Sequence, residues 1–126
     1  MRLSIPFLAT DLSATCYTAW APIPPQAKKF AIGVGTTATG SPVGQISIQV
    51  ATHKNPAVDG VAPLNAQGGA ITVAATNGAG KQLIDNIATG ADAIRMKYTV
   101  TSGGVGAVFT DDSGVAGSAP SLVFKE

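Results

Sequence analysis

Few residues in this chain could do chemistry: one histidine, His53, one cysteine, Cys16, and carboxylates that, apart from Glu126, are all aspartates. A Ser/His/Asp or Cys/His relay would have to recruit His53 from a stretch with no other catalytic mark, so a solvated loop histidine is expected. Gly78-Ala79-Gly80-Lys81 is similar to the tail of a phosphate-binding loop. Ala75 stands where its first glycine belongs, however, and Gln82 replaces the metal-binding Ser or Thr, so the segment reads as a turn. Gly33-Val34-Gly35 lacks the third glycine and the following helix of a dinucleotide site. Asp111 and Asp112 are adjacent and precede Ser113-Gly114. Such a turn has too few alternating oxygens for a calcium loop, and it brings no second carboxylate across a cleft for glycoside hydrolysis.

Tyr17, Trp20 and Tyr98 could form a sugar-stacking platform. Aromatics are few (four Phe, two Tyr, one Trp), and Trp20 lies in strand phase with Cys16, so core burial is their expected use. A lone Cys16 excludes an intrachain disulfide and a Cys-based metal site, and is expected to be a small buried hydrophobe. The expectation is a chain with no catalytic, cofactor-binding or metal residues, and so not an enzyme.

The elements that position these residues read as β-strands. From Asp92 onward, Ile94, Met96, Tyr98 and Val100 alternate with Arg95, Lys97, Thr99 and Thr101, the period of a strand buried on one face. Turn formers recur about every 8 to 15 residues, as in a sandwich or barrel. Strands are expected at 13–20, where Pro22, Pro24 and Pro25 stop the run, and at 28–36, 45–52, 69–75, 92–101, 105–110 and 120–125. The pair 28–36 and 45–52 reads as a hairpin through Thr37–Gly44. Residues 81–88 fit either a strand or a short helical turn, and 53–68 reads as a long loop. The predicted fold is all-β, an antiparallel β-sandwich, jelly-roll-like, of about eight strands. An extended amino-terminal arm (1–12) precedes a single domain (13–126).

At 126 residues the chain can bury roughly two thirds of its unfolded surface in one core. Charged residues are only 12%, against a usual share of about 25%. Two readings follow: part of the exterior is covered by assembly into a homo-oligomer, a dimer or trimer, or small neutral residues keep the surface soluble unaided. A net charge of +1 argues against a nucleic-acid partner. Lys28-Lys29 and Arg95/Lys97 are the locally basic pairs. The apolar run near the amino terminus is too short for a signal peptide and no segment approaches the roughly 20 apolar residues of a membrane span. Synthesis in the cytoplasm and no membrane partner are expected.

Two segments carry a resemblance. They are Thr39-Gly40-Ser41-Pro42-Val43-Gly44-Gln45-Ile46-Ser47-Ile48-Gln49-Val50, and Ile94-Arg95-Met96-Lys97-Tyr98-Thr99-Val100-Thr101-Ser102-Gly103-Gly104-Val105-Gly106. Over about residues 28–110 the chain resembles small β-sandwich bacteriophage virion proteins. It departs from that pattern at Ala51-Thr52-His53-Lys54-Asn55-Pro56. The resemblance implies a capsid cement or decoration protein that bridges neighbouring major capsid subunits in the virion, or a tail or fibre component that binds a receptor or carbohydrate. The apolar residues Leu3, Ile5, Phe7 and Leu8 of the arm are expected to contact a partner subunit.

Overall fold

Alternating side chains decide which face of each strand is buried, and in this chain the buried strand positions are mostly even-numbered. The computed structural model describes residues 2–37, 40–52, 64–65, 71–73, 81–87, 90–115 and 117–126. The strands are β1 (Arg2–Ser4), β2 (Cys16–Tyr17), β3 (Ala21–Pro22), β4 (Lys29–Thr36), β5 (Val43–Ala51), β6 (Leu64–Asn65), β7 (Ile71–Val73), β8 (Lys81–Asn86), β9 (Ala93–Ser102), β10 (Phe109–Thr110) and β11 (Ser121–Lys125). Phe30, Ile32 and Val34 of β4 are buried, as are Ile46, Ile48 and Val50 of β5, Ile94, Met96 and Tyr98 of β9, and Leu122 and Phe124 of β11. The odd positions Arg95 and Lys97 are half-buried on the outer face of β9.

Among the described residues all pairings are antiparallel and form two sheets. In the first, β1, β11, β4 and β8 lie side by side and β10 pairs with the end of β4. In the second, β9 and β5 are central, flanked by β2 and β3 on one side and β6 and β7 on the other. With β2–β3, β6–β7 and β10–β11 each taken as one interrupted strand, the orders are 1-8-3-6 and 2-7-4-5, those of a jelly roll. The expected all-β antiparallel sandwich is the observed fold. β8 resolves the ambiguity at 81–88 in favour of a strand.

The expected hairpin between 28–36 and 45–52 does not form. β4 pairs with β8, β10 and β11, whereas β5 pairs with β9, β6 and β7, so the connection passes from one sheet to the other. The connection is long enough to span the roughly 10 Å between stacked sheets, a distance no two-residue hairpin turn could bridge. The apolar faces of β4 and β5 therefore meet across the core. β8 and β9 are joined in the same way. Their sequences share Ala-Thr-Gly at 38–40 and 88–90, with φ of 77° at Gly40 and 86° at Gly90. The pairings are symmetric under this repeat: Ser47 opposes its own equivalent Lys97, and Ile32 and Gly33 oppose Leu83 and Gln82. A pseudo-two-fold axis thus passes through both sheets.

Three further expectations change. Residues 13–20 form only β2, because the strand is interrupted before β3, and Pro22 lies within β3 at a sheet edge, where a missing N–H is tolerated. Of 105–110 only Phe109–Thr110 is strand, since Gly104 and Gly106 adopt φ of 96° and 77°. A Cβ at Gly104 would lie 2.2 Å from the Leu12 carbonyl oxygen, a close approach open only to glycine. Residues 1–12 are not a free arm. β1 pairs with β11, the Ile5 N–H donates to the Pro120 carbonyl at 2.8 Å, and Phe7 bridges to Thr18 in the second sheet. This segment crosses from one sheet to the other and places Ile5 and Leu12 in the core, with Leu3 and Phe7 packed against it. Of the four residues expected to face a partner, Leu8 alone is exposed, at 69%.

That division is measurable. Ile5→Ala should cost about 2–5 kcal/mol in urea unfolding, the range for truncating a buried aliphatic side chain. Leu8→Ala should stay within about 0.5 kcal/mol of the parent.

Candidate functional site

Among the described residues, the interruption between β2 and β3 creates the most chemically distinctive surface. Cys16 and Tyr17 oppose Tyr98 and Lys97, but Ala21 and Pro22 oppose Ile94 and Ala93, so the edge strand holds one extra residue. This is a bulge, which bends the strand and re-aims its side chains. Thr18, at 1% exposure, secures it from inside: the Met96 N–H donates to Thr18 Oγ1 at 3.0 Å and the Thr18 hydroxyl donates to the Ala19 carbonyl at 3.0 Å. The phase shift turns Trp20 outward beside Tyr17, contrary to the expectation that it joins Cys16 in the core. Cys16 itself is buried, which pushes its thiol pKa up.

Arg95 stands between the two rings. Its guanidinium carbon lies 4.2 Å from the Tyr17 ring centroid and 4.5 Å from that of Trp20, within cation–π range. Its Nε donates to Gln49 Oε1 on β5 at 2.7 Å, which fixes the plane of the group. Lys97 Nζ lies 5.8 Å from the Tyr17 ring. Burial lowers the Arg95 pKa and the Tyr17 hydroxyl opposes that shift, yet a guanidinium remains charged at any physiological pH. Beside these residues the loop 8–15 folds back, its Leu8 N–H donating to the Tyr17 carbonyl at 2.8 Å. It forms the far wall of a cleft of about 560 Å³ whose lining includes Thr10, Thr15, Tyr17, Trp20 and Arg95.

Tyr98 takes no part in this surface. It is fully buried, its ring set edge-on to Phe109 at 5.1 Å, and Phe109 in turn stacks on Phe7 at 4.4 Å. Its hydroxyl lies over Gly44, where a Cβ would come within 2.6 Å of it, and has no hydrogen-bond partner among the described residues.

A second region gathers apolar side chains at the loop end of the sandwich. Leu8, Val105 and Val115 are 69%, 71% and 61% exposed, and Val108 is 37% exposed. Val108 lines a cleft of about 250 Å³ with Phe7, Leu12, Phe109, Ser118 and Pro120. The other three lie in segments tied to its walls: Leu8 adjoins Phe7, Gly104 beside Val105 accepts from the Leu12 N–H, and Val115 accepts from Ser118. Two Asp-x-Ser turns brace this end. Asp11 Oδ1 accepts from the N–H and hydroxyl of Ser13, and its Oδ2 accepts from the Gly106 N–H. Asp111 Oδ1 accepts from the N–H and hydroxyl of Ser113, so the expected turn at Asp111–Gly114 is present.

His53 and Gly78–Gly80 lie outside the described residues, as does most of the loop expected at 53–68. Among the described residues no cluster of His, Cys, Asp and Glu could hold a metal ion, and no helix is long and apolar enough to cross a membrane. No family model, curated protein or solved structure matches the chain.

Two outcomes follow from this geometry. Tyr98→Phe removes an unpaired buried hydroxyl and should leave stability unchanged or raise it by about 1 kcal/mol in urea unfolding; a loss of that size refutes the assignment. The Asp11 and Asp111 carboxyls are both held below the usual carboxylate range, chiefly by the Ser13 and Ser113 side chains. Folding therefore favours their ionised forms, a stabilisation complete above the unfolded value of about 3.9 and lost as the pH falls through the lower folded values. Thermal melts should fall in midpoint below about pH 4, and the double variant Asp11→Asn/Asp111→Asn should flatten that decline.

Proposed function

We propose that this chain is a structural subunit of a bacteriophage particle, a cement or decoration protein that bridges neighbouring major capsid subunits and assembles as a dimer or trimer. The reading is carried by the exposed apolar residues Leu8, Val105, Val108 and Val115, of which Val108 lines the 250 Å³ cleft and the other three lie in segments tied to its walls, on a chain whose charged share is 12%. Exposed apolar clusters mark interaction sites, and each aliphatic side chain covered by a partner contributes about 1.5–3 kcal/mol. The two segments that resemble virion β-sandwich proteins support the same reading, as does a jelly-roll order, an architecture used by viral capsid domains. Because folds host many functions, the surface carries more of the argument than the topology. The loop end supplies the contact proposed, in place of the amino-terminal residues Leu3, Ile5 and Phe7, which serve the chain's own core.

A second reading, a tail or fibre component that recognises a receptor or carbohydrate, is favoured by the Tyr17–Arg95–Trp20 cleft.

Sedimentation of the purified protein with purified phage shells tests the first reading. The parent should be retained on shells, and the triple variant Leu8→Asp/Val105→Asp/Val115→Asp should lose at least about tenfold in affinity with an unchanged thermal midpoint. Absence of the parent from the shell fraction, or retention of the variant, overturns it.

A further inference from the structure

The cleft beside β2 and β3 combines three kinds of group that few ligands can satisfy together. Tyr17 and Trp20 are half-buried aromatic rings, Arg95 and Lys97 are cations beside them, and Thr10 and Thr15 are among the residues that line the cleft. Of the five N–H donors of Arg95, Nε alone has an acceptor among the described residues, and none of the others is sealed from solvent. Neither Arg95 nor Lys97 has an ion-pair partner among the described residues. The cleft's carboxylate, Asp11, has one oxygen engaged by Ser13 and the other by Gly106, so it is committed to the loop that it braces.

We infer that this cleft binds the carboxylate-bearing residue of an acidic saccharide, a uronic or sialic acid. The terminal nitrogens of Arg95 present the fork that matches a carboxylate bidentately. The parts of the Tyr17 and Trp20 rings that Arg95 leaves uncovered suit the C–H face of a pyranose, and threonine hydroxyls suit its hydroxyl groups. Gln49 holds the guanidinium plane in advance, which reduces the ordering cost of binding. A volume of about 560 Å³ lies within the roughly 300–1,000 Å³ of small-molecule sites. Single-stranded nucleic acid would also stack on aromatics, but it needs a cationic track along its backbone. Two cations on a chain of net charge +1 do not make one. The inference deepens the receptor-binding reading and is independent of the cement reading, since it concerns the isolated chain and a free sugar.

Trp20 is the only tryptophan, so its emission reports directly on the site. The purified protein is titrated with sodium glucuronate, N-acetylneuraminic acid, glucose, acetate and oligothymidylate. Either acidic sugar should give a saturable emission change with half-saturation near 1 mM, while glucose and acetate at the same concentration give none. Arg95→Gln should weaken the response at least about tenfold, and Lys97→Gln, at the rim, about two- to fivefold, both with an unchanged circular dichroism melt. Should Arg95→Gln fail to fold, the Lys97→Gln shift decides. The inference is overturned if neither acidic sugar gives a saturable change, if glucose matches glucuronate, or if the response survives both substitutions. Tighter binding of oligothymidylate than of either acidic sugar overturns it as well.

Discussion

The molecule rests on a single matching of phase: the apolar faces of β4, β5, β9 and β11 must all point into the same gap. Ile32, Ile46, Ile94, Met96, Tyr98 and Leu122 are each at most 1% exposed, and every one stands at an even position of its strand. A slip of one residue in any of these pairings would turn an entire apolar row toward water, at a cost of several kcal/mol. The β4–β5 and β8–β9 connections act within this constraint. Because each links strands in different layers, the core is clamped at both ends by covalent chain, and the pseudo-two-fold arrangement lets the same local geometry do so twice.

Much of the fold was legible because a half-buried strand writes its period directly into residue types. The alternation from Ile94 to Tyr98 marked β9 as a strand buried on one face, and Ile46, Ile48 and Val50 marked β5. Periodicity, however, reports which face is buried and not which strand lies alongside. Phe30, Ile32 and Val34 look the same whether β4 pairs with β5 or faces it, so the expected hairpin was a pairing that the pattern could not decide. The recurrence of Ala-Thr-Gly at 38–40 and 88–90 was the available signal for two equivalent crossings. The amino-terminal segment misled for a related reason. Leu3, Ile5 and Phe7 alternate as a strand does, but their partner, β11, lies at the far end of the sequence.

The candidate site was less legible. Tyr17, Trp20 and Tyr98 were recognisable as a group, yet one extra residue between Thr18 and Ala21 separates them, sending Trp20 out while Tyr98 stays in. No composition or period reveals a bulge of one residue at an edge. Arg95 and Lys97 read as an ordinary solvated face until Gln49 and the two rings are brought around them by the β5–β9 pairing and the bulged edge. Asymmetry matters here. The positions equivalent to Arg95 and Lys97 in the repeat are Gln45 and Ser47, so this pair of cations has no counterpart across the pseudo-two-fold axis.

The pairing of β1 with β11 also bears on how the chain acquires its shape in time. Leu3 aligns with Leu122, so this contact closes a loop of nearly the whole sequence, with an entropic cost of about 4 kcal/mol before any reward is gained. Local helices could not lessen that delay, since the described residues contain none. Folding should therefore be slow for the chain's size and complete only after synthesis has delivered the last strand, leaving β4 and β5 transiently open to the wrong neighbours.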